Sequence, residues 1–202
     1  MEQIVQLNSQ AKLSEHFTLG EMTKSNSHPE VYNIPSHEAI ANLKRVCEWL
    51  EVLRKRYNER YVVNRRDVST TLDMTGGGTL DMTTAPVSSR LSAPPLSSRL
   101  SEAHGEISER PIIINSGYRS PQLNKKIGGV AGSNHLTGCA VDIRVLGMEQ
   151  LIRYATILLD YADESKQDFD ELLIERNRYG AIWLHFAVRP FSNRRKVAFI
   201  NA

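Results

Sequence analysis

The chain has 202 residues, 41% hydrophobic, 24% charged and 7% aromatic, which suits one sizeable buried core and excludes a disulfide-stapled miniprotein or a fully disordered chain. Twenty-five Lys and Arg against 23 Asp and Glu leave a formal charge of +2, so no overall field gathers nucleic acid or an anionic membrane, and any partner must be recognised at a site. Nowhere do about 18 apolar residues run together, and Met1-Glu2-Gln3-Ile4 begins no signal peptide, so the expectation is a chain made in the cytoplasm with no membrane insertion.

The first 35 residues are polar and irregular, with Phe17, Leu19 and Met22 as anchors onto the core and Asn33-Ile34-Pro35 as a stop. Ser36 then caps a helix through about Tyr57. Its apolar positions Ile40, Leu43, Val46, Cys47, Leu50 and Leu53 recur at three and four, while Lys44, Arg45, Glu48, Glu51 and Lys55 face water. From Val68 to His104, 19 of 37 residues are Ser, Thr, Gly or Pro, and TLDMT and SSRLS each occur twice. Such a stretch lacks the apolar density to offset its ordering entropy. One domain over 1–202 is therefore expected, carrying a low-complexity insertion at 62–109 whose core, 68–104, is disordered.

Ile112-Ile113-Ile114 predicts a buried strand ended by Asn115-Ser116-Gly117, and Ser120-Pro121 opens a short helix that stops at Gly128-Gly129. Cys139 to Val145 alternates, with Cys139, Val141, Ile143 and Val145 on the core face and Ala140, Asp142 and Arg144 on the other. Met148 to Tyr161 is helical, with Leu151, Ile152, Ala155, Leu158 and Leu159 as its apolar stripe. Leu172 to Glu175 and Ile182 to Val188 form a hairpin about a turn at Asn177 to Gly180. The class is α+β, a small antiparallel-rich sheet with packed helices. Cys47 and Cys139 are too few for a disulfide framework and are expected reduced in the core, and the Arg189 to Lys196 tail reads as a solvated basic end.

His16, His28, His37 and His104 lie in polar segments and read as surface residues, whereas His135 and His185 flank apolar strands. Ser133-Asn134-His135 stands on a loop and Asp142 seven positions later on a strand, with Gly138 permitting the bend between them. A buried aspartate needs a cation or donors to offset its desolvation. His185, in Trp183-Leu184-His185-Phe186, completes a His2Asp set with one open position, the pattern of a catalytic zinc. Spacing alone favours a hydrogen-bonded core His and Asp over a metal site.

Ser116-Gly117-Tyr118-Arg119-Ser120, then Ser133-x-His135-x6-Asp142, then Trp183-x-His185, in that order, resembles the zinc D-alanyl-D-alanine carboxypeptidase and phage endolysin family, of the hedgehog/D-Ala-D-Ala peptidase fold. Phe17-Thr18-Leu19-Gly20-Glu21-Met22 and the helix from Ser36 are similar to its phage and mobile-element branch. The resemblance implies zinc on His135, Asp142 and His185. It implies that Arg119 stabilises the developing oxyanion, and that Ser133, Gln122, Tyr118 and Trp183 contact substrate. For Arg119 a surface salt bridge is the plain alternative, and for Tyr118 and Trp183 core packing is.

Many members carry Glu or Asp three residues before the last histidine, where this chain has Ile182. A hairpin centred near Asn177 to Tyr179 sets Glu175 across from Ile182 or Trp183, and Leu172-Leu173-Ile174-Glu175 resembles a run of the mobile-element branch, so Glu175 is the expected general base. Pairing with Arg176 or Arg178 is its structural alternative, and Asp170 and Glu171 stand in reserve. The implied protein is a monomeric zinc metallopeptidase acting on peptidoglycan stem or cross-bridge peptides, as carboxypeptidase or endopeptidase, reaching the cell wall after release or lysis. The alternative is a catalytically inactive zinc-containing module that binds the wall or serves as a structural part.

Overall fold

The alternation from Cys139 becomes one strand of a five-stranded mixed sheet in the computed structural model, which describes residues 8–25, 27–63 and 109–201. Strands β1 (Ile114–Ser116), β2 (Ala140–Arg144), β3 (Glu171–Arg176), β4 (Ile182–Ala187) and β5 (Lys196–Asn201) lie in the order β1-β2-β4-β3-β5. The α+β class holds: β1, β2, β4 and β3 pair antiparallel, and β5 joins β3 in parallel.

Four helices accompany the sheet among the described residues: α1 (Leu19–Thr23), α2 (His37–Tyr57), α3 (Pro121–Lys126) and α4 (Met148–Ser165). Ser36 caps α2 by accepting the Ala39 amide, and Leu43, Val46, Cys47, Leu50 and Leu53 are fully buried, as the stripe predicts. The α2 and α4 layer covers the sheet face formed by Val141, Ile143, Leu172, Leu184 and Phe186. Trp49, on the same side of α2, meets Phe186 at 5.3 Å and Tyr161 edge-on at 4.7 Å between ring centroids. Each large side chain buried here contributes about 1.5–3 kcal/mol of transfer free energy. Both cysteines are free and buried.

Several sequence expectations shift in phase. Ile113 is exposed and the strand begins at Ile114, because the bonded ladder to β2 runs over Ile114 to Ser116. Ile152 also faces solvent; Tyr154, Ile157 and Ala162 join Leu151, Ala155, Leu158 and Leu159 on the α4 core face, and α4 runs on to Ser165. Glu51 does not simply face water: it accepts the Ser14 hydroxyl at 2.6 Å and the His16 amide at 2.8 Å, and His16 is thereby held rather than free. The segment before Ser36 holds α1, opened by a reciprocal Thr18–Glu21 cap, with Phe17, Leu19 and Met22 buried.

The expected disordered core at 68–104 lies outside the described residues. What is described is how the chain leaves and returns: α2 continues as a π-helical turn, Asn58–Val63, and the Asn58 amide holds both the N–H (2.8 Å) and the C=O (3.1 Å) of Arg110. Arg54 pairs with Glu109 at 2.7 Å on the same side. Because these contacts already bring the two ends together, deleting residues 68–104 is expected to leave the thermal midpoint and zinc uptake unchanged. Differential scanning calorimetry with metal titration checks this, and loss of folding would overturn the insertion reading.

Candidate metal centre and its cleft

Period-two alternation sends Ala140, Asp142 and Arg144 of β2 and Trp183 and His185 of β4 to the sheet face opposite α2 and α4. Asp142 and His185 are directly paired across the ladder. His135 arrives from a short 3-10 turn, Asn134–Thr137, that Ser133 caps by accepting the His135 amide. Gly138 ends that turn at φ 72°, and a Cβ there would stand 2.4 Å from the Ala39 carbonyl oxygen, so the bend into β2 requires glycine.

One ligand atom each from His135, Asp142 and His185 lies within 4.8 Å of the others, and all three residues are buried. Asp142 Oδ1 is 3.3 Å from His135 Nε2 and 2.9 Å from His185 Nδ1. His135 Nδ1 is 2.6 Å from the Gly117 carbonyl oxygen, which only accepts, so Nδ1 carries the proton. Burial, with the charges of Arg119 and His185, pushes the His135 pKa down against the pull of Asp142. With Nδ1 turned to Gly117, Nε2 is the nitrogen that faces the Asp142 carboxylate. Two imidazoles and a carboxylate arranged this way form a donor set that fits zinc.

Arg119 donates from Nη2 to Asp142 Oδ2 and from Nε to Ser116 Oγ at 2.8 Å. Burial works against the Asp142 charge, but the His135 and His185 imidazoles beside it hold the carboxyl far below the usual carboxylate range. His185 is likewise opposed by burial, yet Asp142 and Glu171 outweigh it and raise its pKa to about 9 in the metal-free protein.

These groups share one cleft of about 720 Å³, lined also by Ser133, Glu171, Glu175, Trp183, Arg189, Arg194 and Lys196. The β3–β4 register sets Glu175 across from Trp183, one of the two positions expected, and on the same face as His185. Glu175 forms no ion pair with Arg176 or Arg178; Arg178 instead stacks on Tyr179. Burial pushes its carboxyl up, against the pull of His185. Ile182 projects to the opposite face and packs on the core, so in this hairpin that position does not address the site.

Of the remaining residues, Ser133 and Trp183 line the cleft, and the Trp183 indole nitrogen is buried beside Glu175. Tyr118 belongs to the core cluster and Gln122 is exposed on α3; neither lines the cleft. Asp170 is fully buried and engaged by Arg194 (2.8 and 2.7 Å), Arg189 (3.0 Å) and Asn134 (2.7 Å). The basic tail is thus no solvated end: Arg194 and Lys196 reach Glu171, Arg195 bonds Asp163 and Asp168, and β5 begins at Lys196. Sequence reasoning also missed Asn33, whose amide donates to the Thr23 and Tyr118 carbonyls and accepts the Ser120 amide, fixing the Arg119 segment.

No match to a curated protein was found. Residues 78–159 match the family model described as Peptidase M15, a stretch that covers less than half of the chain and stops short of Glu175, Trp183 and His185. Over it the chain is similar to that peptidase family, and Arg119, His135 and Asp142 fall inside the match.

Proposed function

We propose that the protein is a zinc-dependent metallopeptidase that hydrolyses a peptide bond in bacterial peptidoglycan stem or cross-bridge peptides, a D-Ala-D-Ala carboxypeptidase or murein endopeptidase of the peptidase M15 type. The observation that carries this reading is the buried His135, Asp142 and His185, whose ligand atoms converge within 4.8 Å of one another inside a cleft that also holds Glu175. The family match supports the peptidase class. Zinc held there would supply Lewis acidity toward a peptide carbonyl and acidify water to a pKa of about 7.

The chain's own groups supply the rest. Arg119 is held by Ser116 and Asp142 through Nε and Nη2, which leaves Nη1 as the donor for an oxygen that gains negative charge as the carbonyl carbon becomes tetrahedral. Glu175 takes the proton from the attacking water and delivers it to the amide nitrogen, so that one water and one amide become a carboxylic acid and an amine. Its raised pKa brings it nearer to neutral pH, where a base can both accept and return a proton. Trp183 and Ser133 wall the cleft, and the enzyme meets its substrate after release to the wall, in the manner of the endolysin branch.

Mass spectrometry of products from zinc-loaded protein, incubated with purified peptidoglycan and with a pentapeptide ending in D-Ala-D-Ala, tests this. Cleavage that disappears in His135→Ala is the expected result and names the bond. Stoichiometric zinc with muropeptide binding and no product would replace the enzyme with a wall-binding module.

A further inference from the structure

His185 has two ring nitrogens, and only Nδ1 is occupied by Asp142. Nε2 is buried and has no partner within hydrogen-bond distance. The carboxylate it faces is that of Glu171, with Oε2 3.6 Å away. Leu173 pairs with His185 across the β3–β4 ladder, so Glu171, two residues back on β3, lies diagonally on the same face.

Glu171 and Glu175 share a strand and a face but not an environment. Asn134 Nδ2 donates to Glu171 Oε2 at 3.0 Å, and Arg194 (2.9 Å) and Lys196 (3.3 Å) reach Oε1, so the carboxylate is fixed from three sides. Among the described residues Glu175 has no cation paired to it; Trp183 and the His185 charge are what act on its carboxyl. A pinned carboxylate is poorly suited to carry protons and well suited to hold a donor in place.

We propose that Glu171 is the positioning residue of His185, the acceptor toward which Nε2–H points, so that Nδ1 presents its lone pair beside Asp142 Oδ1. This rests on the zinc reading above. A neutral imidazole has one N–H, and the acceptor at one nitrogen selects the tautomer that frees the other. His135 obeys the same logic with the nitrogens exchanged, its Nδ1–H donating to Gly117. An outer carboxylate on a ligating histidine both orients the ring and raises its basicity. Asn134 ties the two halves together: it adjoins His135 in the chain and bonds Glu171 and Asp170 on β3 and its approach. Arg194 and Lys196 then act through Glu171 rather than at the metal.

Competition with a chelator should show zinc held about 10–100-fold more weakly by Glu171→Gln than by the unaltered protein. Cobalt substitution should show shifted visible bands in the same variant. Equal zinc affinity and an unchanged cobalt spectrum in a folded Glu171→Gln would overturn the proposal. Should that variant not fold, the unaltered protein still decides: long-range proton–nitrogen correlation of the zinc-loaded form is expected to show His185 metal-bound at Nδ1 and protonated at Nε2. Metal on Nε2 would overturn the role of Glu171 while leaving the zinc reading in place. Failure of the unaltered protein to take up zinc would overturn both.

Discussion

Replacing Glu175 with glutamine is expected to lower kcat for peptidoglycan cleavage by about 10²–10⁴-fold while zinc content and thermal midpoint stay as they are. The size follows from what the residue does in the proposed reaction. Glutamine keeps the shape of the side chain but cannot take a proton from water or return one to a leaving amine. The stability expectation follows from the surroundings, since Glu175 makes no ion pair among the described residues and its burial opposes its own charge. The pH profile gives a second readout. Activity should require the ionised carboxylate and so fall as pH drops through a pKa raised above 4.5, and the variant should lose this acid limb. A Gln variant with undiminished kcat would move the base elsewhere.

The second large effect is on Asp142. Asp142→Ala is expected to abolish stoichiometric zinc binding and, in the metal-free protein, to cost about 3–5 kcal/mol of stability, the range for breaking one side of a buried ion pair. The carboxylate is the shared partner of Arg119, His135 and His185, so its loss strands a guanidinium that retains only the Ser116 hydroxyl. The sign with pH is fixed. The folded state depresses the pKa of Asp142, so its contribution is complete above the unfolded value of 3.8 and is lost as the solution is acidified through and below it. Urea titrations of chelator-treated protein at pH 7 and pH 3 separate the two effects. A variant as stable as the parent at pH 7 would show that Arg119 finds another partner.

The sequence is informative wherever alternation meets a chemically distinctive residue. Asp142 sits out of phase with Val141 and Ile143, and His185 out of phase with Leu184 and Phe186, so a period of two suffices to put both on the face away from the core. The place of Glu175 across from Trp183 follows from the position of the turn, whereas its proposed role as base rests also on the resemblance of Leu172-Leu173-Ile174-Glu175. Ile182 follows from the same parity, since an odd separation from His185 in one strand turns it toward the helices.

What stays hidden depends on non-local pairing. β5 joins β3 in parallel after a crossover, and its outward Lys196, Val197 and Phe199 show no buried pattern to read. Glu171 and the Arg194 and Lys196 that hold it are charges whose roles are created only when β3 and β5 meet. Asn33 and Asn134 act through amide bonds to segments far along the chain, and no local periodicity announces such contacts. The misplaced faces at Ile113 and Ile152 have a simpler origin, because an unbroken apolar run or a wide stripe sets composition without setting phase.

The Asn58 clamp on Arg110 makes one surface point of the fold a port. A single side-chain amide stations the departing and the returning backbone side by side, remote in sequence from the donor atoms on β2 and β4. Loop closure grows only logarithmically with length, at about 0.6 kcal/mol per doubling, so the span between the two ends can lengthen or be exchanged at little thermodynamic penalty. A reporter or a second folded unit spliced there would be carried by the sheet without touching His135, Asp142 or His185.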